Sequence, residues 1–331
     1  TLRYLVNYND SLKDTHFYMG SLLAPVYGVL DQRKSEELLA TASKQLLREP
    51  VGVMVVAPPD FHTDSMRSFF KFVGNEAGDP YIYANGGIWP HANAMYALAL
   101  NATGRSEDAV TFVKSTMTLD GIASSPNGLP AMYEYRMSDA TSKDFGNIDK
   151  PSFMWAAGFY MNVLYAIAGF QDNEWNLSLT GKLPLTLSPV QCSYAFGEMQ
   201  IVSIEGKASM LKSLQSDGKE IPSLVLPNSI MNNHALKIRY GSPTRPYLEQ
   251  VNAIVDSIGL NGDATKMEII LSSFQGHEIT MKVVALRVPV RTMADGQQIS
   301  LLSKSFEQNG TIGLRFGFTG TDAPQHLVIE F

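Results

Sequence analysis

The chain changes its period partway along, and that change limits what it can fold into. Up to about residue 178 apolar residues recur at helical spacing; beyond about Gln171–Pro189 that spacing is gone and β-branched residues rise. Asp217-Gly218, Asn261-Gly262, Asp295-Gly296 and Asn309-Gly310 punctuate the second half. Such pairs favour tight hairpins, because both residues tolerate positive φ. Between them lie strand-like runs such as Met267–Leu271, Ile279–Val290 and Ile312–Phe318. The expectation is an α plus β multidomain chain: a helical domain over 1–178 and an antiparallel β-sandwich over 179–331. A length of 331 residues fits two cores better than one.

Within the helical half, Thr15–Leu30 is strongly apolar and reads as a helix. Leu38, Leu39, Ala42 and Leu46 form one face of a second, stopped by Pro50. Ser106-Glu107-Asp108 reads as the cap of a further helix, and Ser152–Phe170 as the last. Gly121–Tyr135, rich in Gly, Pro and Ser, reads as irregular.

The densest chemistry lies in Ala84-Asn85-Gly86-Gly87-Ile88-Trp89-Pro90-His91-Ala92-Asn93-Ala94. Paired glycines let the backbone approach a ligand, and Pro90 suits the first turn of a helix. The free donors of a helix start would suit an anion or a sugar hydroxyl. Trp89, Trp155, Tyr81, Tyr83 and Tyr133 are candidates to stack on sugar faces. Asp64, Arg67, Glu76, Asp144 and Asp149 are loop charges that could line a cleft; Asp149-Lys150 could equally cap the last helix.

A net charge of −6, with no Lys/Arg cluster, excludes an obvious nucleic-acid surface. No apolar run is long enough for a membrane span. The single cysteine, Cys192, excludes an internal disulfide and a cysteine-based zinc site. It suits a reducing compartment without choosing between cytoplasm and periplasm. His234, His277 and His326 are scattered and fit surface strands rather than a metal site, so neither metal nor cofactor is expected. Sequons at Asn101, Asn176 and Asn309 would matter in a eukaryotic secretory context. The chain begins at Thr1 rather than Met, which suggests that a segment precedes it.

Helical hairpins, the Asn85–Asn93 element and an all-β tail together resemble the six-hairpin (α/α)6-barrel glycoside hydrolases and phosphorylases. The local match is to the cellobiose-phosphorylase-like family, whose N-G-G-[IV]-x-x-H-A-N element lines the active site. Gly52-Val53 and Ala57-Pro58-Pro59 are similar to that family's approach to the element. Gly128-Leu129-Pro130-Ala131-Met132-Tyr133-Glu134-Tyr135 resembles the segment that carries the general-base glutamate of related barrel hydrolases. Trp155-Ala156-Ala157-Gly158 resembles their last barrel helix.

The resemblance implies a partial α/α toroid holding the C-terminal part of a catalytic domain. It also implies a carbohydrate substrate. Glu134 would be the catalytic base, in a loop with Arg136 as its counter-ion. Asn85, Gly86, Gly87, Trp89, His91, Asn93, Tyr133, Arg136 and Trp155 would bind substrate. The phosphorylases pair their histidine with a Thr-Gly on the last helix. Here that stretch reads Phe153-Met154-Trp155, which favours water as nucleophile and inverting hydrolysis. The helices account for about half of a complete barrel, and the family's general-acid aspartate belongs to the earlier half. A partner chain or a homodimer would be needed to complete the barrel. The alternatives are a glycoside phosphorylase and a non-catalytic carbohydrate-binding or assembly module.

Overall fold

The computed structural model describes residues 16–60, 79–128, 132–154, 157–172, 175–180, 184–187, 190–193, 200–205, 210–230, 235–307 and 310–331. Trp155, Asp64, Arg67, Glu76, His234 and Asn309 lie outside them. The protein is of the α plus β class, with six α-helices among the described residues and mainly antiparallel sheets. It divides into two compact units, residues 1–167 and 168–331.

The first unit is built around one helix. Helices α1 (Leu23–Val26), α2 (Gln32–Gln45), α3 (Pro90–Ala102), α4 (Ser106–Thr116), α5 (Leu119–Ala123) and α6 (Ala157–Ile167) follow in order. Every residue of α3 from Pro90 to Asn101 is buried. A helix covered on every side has no solvent face and becomes the core element, its His91, Asn93 and Asn101 buried with the rest. Around it pack α1, α2, α4 and α6. The α2 helix starts where the Asp31 carboxylate accepts from the Lys34 amide at 2.8 Å. It buries Leu38, Leu39 and Ala42, the face the spacing predicts.

The apolar run at 15–30 is not one helix. Phe17–Tyr18 is a strand paired with Val56–Ala57, and Met19–Leu22 is a 3-10 turn leading into the single turn of α1. Gly28, at φ 66°, ends it, and Tyr27 and Val29 are left exposed. The cap of α4 also differs. Its N-cap is Arg105, which makes no capping bond through its side chain, and the Ser106 hydroxyl donates to Asn101 Oδ1.

Three larger sheets fill the second unit. One has the order Lys219–Glu220, Leu211–Ser216, Ala235–Tyr240, Gln200–Glu205, Val190–Ser193. Another has the order Tyr247–Val251, Glu278–Ala285, Ile312–Thr319, Ser300–Phe306. The third has the order Ile254–Leu260, Lys266–Ser272, Gln325–Glu330, Arg291–Ala294, Gln297–Gln298. Met267, Ile269 and Leu271 are buried while Glu268 and Ile270 face out, the period of two that one covered face imposes. One pairing departs from the antiparallel expectation: Gln200–Glu205 runs parallel to Ala235–Tyr240. Leu211–Ser216 pairs antiparallel with the other edge of Ala235–Tyr240.

The expected hairpin turns form at Asp217-Gly218 and Asp295-Gly296, where all four residues have positive φ. At Asn261 the loop is wider. The Asn261 side chain accepts from the Thr265 and Lys266 amides.

Residues 168–178, which the sequence groups with the helices, are bonded into the second unit. Phe170–Asp172 pairs with Leu177–Leu179. The Leu179 amide donates to Leu224 O, and Asn176 bridges Ala253 and Val255. Two of the three sequon asparagines are buried. Asn101 Nδ2 donates to Ala166 O at 2.9 Å, and Asn176 Nδ2 to Ala253 O at 2.7 Å.

No helix among the described residues is long and apolar enough to cross a membrane.

Candidate functional site

The Asn85–Asn93 stretch is placed by backbone pairing on both sides. Val55 N donates to Gly87 O at 2.9 Å, and Ile88 and Arg136 exchange two backbone bonds, each 2.9 Å. Ile88 therefore ties the strand Tyr133–Arg136 to the start of α3. Pro90 occupies the first turn of that helix.

The glycines serve packing, not approach to a ligand. Gly86 has φ 101°, and a Cβ there would sit 2.7 Å from Pro59 Cβ. A Cβ on Gly87 would sit 2.7 Å from both the N and O of Tyr83. The chain itself fills the space beside both glycines. Asn85 and Asn93 are likewise interior. Asn93 Oδ1 accepts from Val53 N at 2.8 Å. Gly52, at φ 143°, leaves room for that carboxamide, since a Cβ there would meet it at 2.3 Å.

Trp89, half-buried, donates from Nε1 to Tyr83 O at 3.2 Å and packs on the Tyr83 ring at 5.1 Å. His91 is buried between Trp89 and Phe159, whose centroid is 4.5 Å away. Burial pushes the His91 pKa below its ordinary value, so the ring is neutral at pH 7. A neutral imidazole among rings is a poor phosphate ligand.

Glu134 is not in a loop. It sits in the strand Tyr133–Arg136, paired with Ile148–Pro151. The register Tyr133↔Pro151 and Tyr135↔Asp149 sets Glu134 opposite Lys150, and Lys150 Nζ lies 2.7 Å from Glu134 Oε2. Glu134 is the only Asp or Glu found buried among the residues whose burial is described. Acidic side chains are rarely buried without a partner.

Lys150, not Arg136, is that partner. Arg136 is buried and turned elsewhere: Nη2 donates to Gly121 O at 2.9 Å and Nη1 to Val51 O at 3.4 Å. Its guanidinium lies 4.9 Å from the centre of the Tyr133 ring. Arg136 thus binds the carbonyls of α5 and of the Val51 turn, as a structural strut. Tyr133 and Tyr135 are buried too. Burial raises the Tyr133 hydroxyl pKa, against the pull of Arg136 and of the Asn93 carboxamide.

Two segments around Glu134 hold bulky residues in left-handed conformation. Tyr81 (φ 69°) and Tyr83 (φ 39°) lie on one, Lys150 (φ 47°) and Ser152 (φ 69°) on the other. Each costs of order 1 kcal/mol or more, and such strain collects at functional sites. The Lys150 ammonium also lies 5.2 Å from the centre of the Tyr83 ring. Elsewhere among the described residues, non-glycine positive φ occurs at Asp217, Ala264 and Asp295, in the turns and loops between strands.

No protein-family model matches the chain. No curated protein matches it either.

Lys150 escaped the sequence reading because Asp149-Lys150 resembles a cap. The usable signal was Tyr-Glu-Tyr-Arg facing Ile-Asp-Lys-Pro, in which a hairpin brings opposite charges together. Asp144 turns inward on its own loop and accepts from Asn147. A cavity of about 330 Å³ lies beside the hairpin, lined by Met117, Leu119, Ile122, Met132, Ser152, Met154 and Tyr160. None of the expected site residues among the described ones lines it. No cluster of His, Cys, Asp and Glu suited to a metal ion is found among the described residues.

Proposed function

We propose that the first unit is the C-terminal part of an inverting glycoside hydrolase in which Glu134 is the general base. The observation that carries this reading is the burial of Glu134 as an ion-paired carboxylate, on a strand bonded to Ile88, with its partner Lys150 held in the left-handed region. A base needs an ionised oxygen held at a fixed place. The ion pair with Lys150 and the two strand pairings supply both. Glu134 would take the proton from water as the water attacks the anomeric carbon. Tyr83, whose ring centre lies 5.2 Å from the Lys150 ammonium, and Trp89, packed on Tyr83, are half-buried and would stack on the sugar. An inverting pair also needs a protonated acid across the scissile bond from Glu134.

The finer architecture belongs to the same proposal. The helices packed round α3 would form part of an α/α toroid, which a partner chain or a second copy could close, and the sheets of the second unit a β-sandwich. Of the competing mechanisms, phosphorolysis has less support, since His91 is neutral and enclosed.

The test is glycan hydrolysis by the full-length gene product and its Glu134→Gln variant, with the anomer of the fresh product read by NMR. Loss of turnover by about 10²–10⁴-fold with an inverted product supports the assignment. Unchanged turnover removes Glu134 as base.

A further inference from the structure

We infer that the second unit carries a carbohydrate-binding platform, separate from the Glu134 site, formed by Trp175, Phe274 and His277. The three rings come from two separate segments. Trp175 and Phe274 lie 5.9 Å apart and nearly parallel, at 20°. His277 lies 4.8 Å from each, at 29° and 38°. Phe274 keeps 53% of its surface exposed while one side of its ring rests on the other two. A lone exposed apolar residue needs no explanation. A cluster of three rings in mutual contact, inclined by 20° to 38°, with Phe274 open to solvent, does.

The array is held rigid. The turn bearing Phe274 is fixed by Gly276 N to Gly320 O (3.0 Å), Gln275 N to Asp322 Oδ1 (2.9 Å) and Gly320 N to His277 O (2.6 Å). Gly276 takes φ 82°, which lets the chain reverse there. His277 Nε2 is 2.7 Å from Asn252 O; since a carbonyl only accepts, this nitrogen carries the hydrogen. Next to Trp175, Asn176 is bonded to both Ala253 and Val255. Little conformational entropy therefore remains to be lost when a ligand stacks.

The surroundings select the ligand. Gln275, Glu278 and Asp322 are exposed around the rings. A protein partner needs about 800 Å² per side, more than three rings with a polar rim supply. A pyranose is flat and apolar on its C–H face and carries hydroxyls at its edge. It matches an aromatic surface bordered by carboxylates and a carboxamide. The choice of a glycan rests in part on the hydrolase reading of the first unit; the ring geometry does not.

The test is affinity electrophoresis of the whole chain carrying Glu134→Gln, in gels containing xylan, barley β-glucan, laminarin or amylopectin. At least one polysaccharide should retard the protein. Phe274→Ala should weaken retardation by at least about fivefold. Phe274→Trp should restore it, and Phe306→Ala, at an exposed ring elsewhere, should leave it unchanged. Circular dichroism melting of each variant checks that it is folded. Absence of retardation in every gel, or equal retardation of Phe274→Ala, overturns the platform whatever the catalytic result. Platform binding in a full-length protein without hydrolysis overturns the hydrolase reading alone.

Discussion

The pair Glu134–Lys150 can be measured as a coupling energy. The perturbations are Glu134→Gln, Lys150→Met and the double variant. Gln keeps the shape of Glu without its charge, and Met keeps most of the apolar stem of Lys. Both lysine and methionine suffer at φ 47°, so the backbone strain cancels in the cycle. The side chains are 9% and 42% exposed for Glu134 and Lys150. Exposed pairs couple by about 0.2–1 kcal/mol, while breaking a buried pair costs about 3–5 kcal/mol. One covered and one wetted partner place the coupling between these, at about 1–2 kcal/mol. The assay is hydrogen exchange of the Ile88 and Arg136 amides, which are bonded across the junction behind the pair. It reports this unit without requiring the whole chain to unfold at once. Raising salt to 1 M should reduce the coupling without abolishing it, because the carboxylate is shielded from ions. A coupling below about 0.3 kcal/mol would refute the argument that this pair organises the site.

Three further outcomes follow from the same packing. Gly87→Ala should destabilise the first unit by about 1–3 kcal/mol or more, since the added carbon meets Tyr83 backbone that cannot yield; an unchanged melting temperature would contradict the geometry. Leu39→Ala should cost about 2–5 kcal/mol and Val29→Ala less than about 0.5 kcal/mol, as urea denaturation can show. His91, with its folded pKa lowered by burial, leaves the unfolded chain binding more protons as pH falls below about 6.5. Stability contributed by its neutral ring is therefore full above that pH and is lost as pH falls toward the lower native value. His91→Phe should flatten the fall in melting temperature between pH 7 and pH 5.

Residues that obey one local rule were legible in the sequence. Leu38, Leu39 and Ala42 share a helical face, and Asp217-Gly218 needs only its own backbone freedom. The start of α3 at Pro90 follows from proline's fixed φ. What was not legible depends on distant partners. Tyr133–Arg136 is buried on both faces although its sequence alternates aromatic and charged, and its pairing with Ile148–Pro151 is a tertiary event. The parallel pairing of Gln200–Glu205 joins it to a strand some thirty residues further on, which no local pattern announces. Gly86 and Gly87 show the limit within the site. Their tolerance of close approach was read correctly, but Pro59 and Tyr83 do the approaching. For the same reason Arg136 looked like a counter-ion from two residues away and proved to be bound to Gly121 and Val51.

The interior sequons have a practical meaning for production. Asn101-Ala102-Thr103 and Asn176-Leu177-Ser178 are valid acceptors on a nascent chain, yet in the native state both amide nitrogens are occupied and covered. A eukaryotic secretory host would modify them before folding, and a bulky hydrophilic glycan has no room at either position. The modified chain could not reach the native packing at Asn101 and Asn176, whereas a host without that machinery leaves both side chains able to pack. Enzymatic deglycosylation after the fact would not restore it, because the enzyme's aspartate scar lacks the Nδ2 donor that binds Ala166 and Ala253.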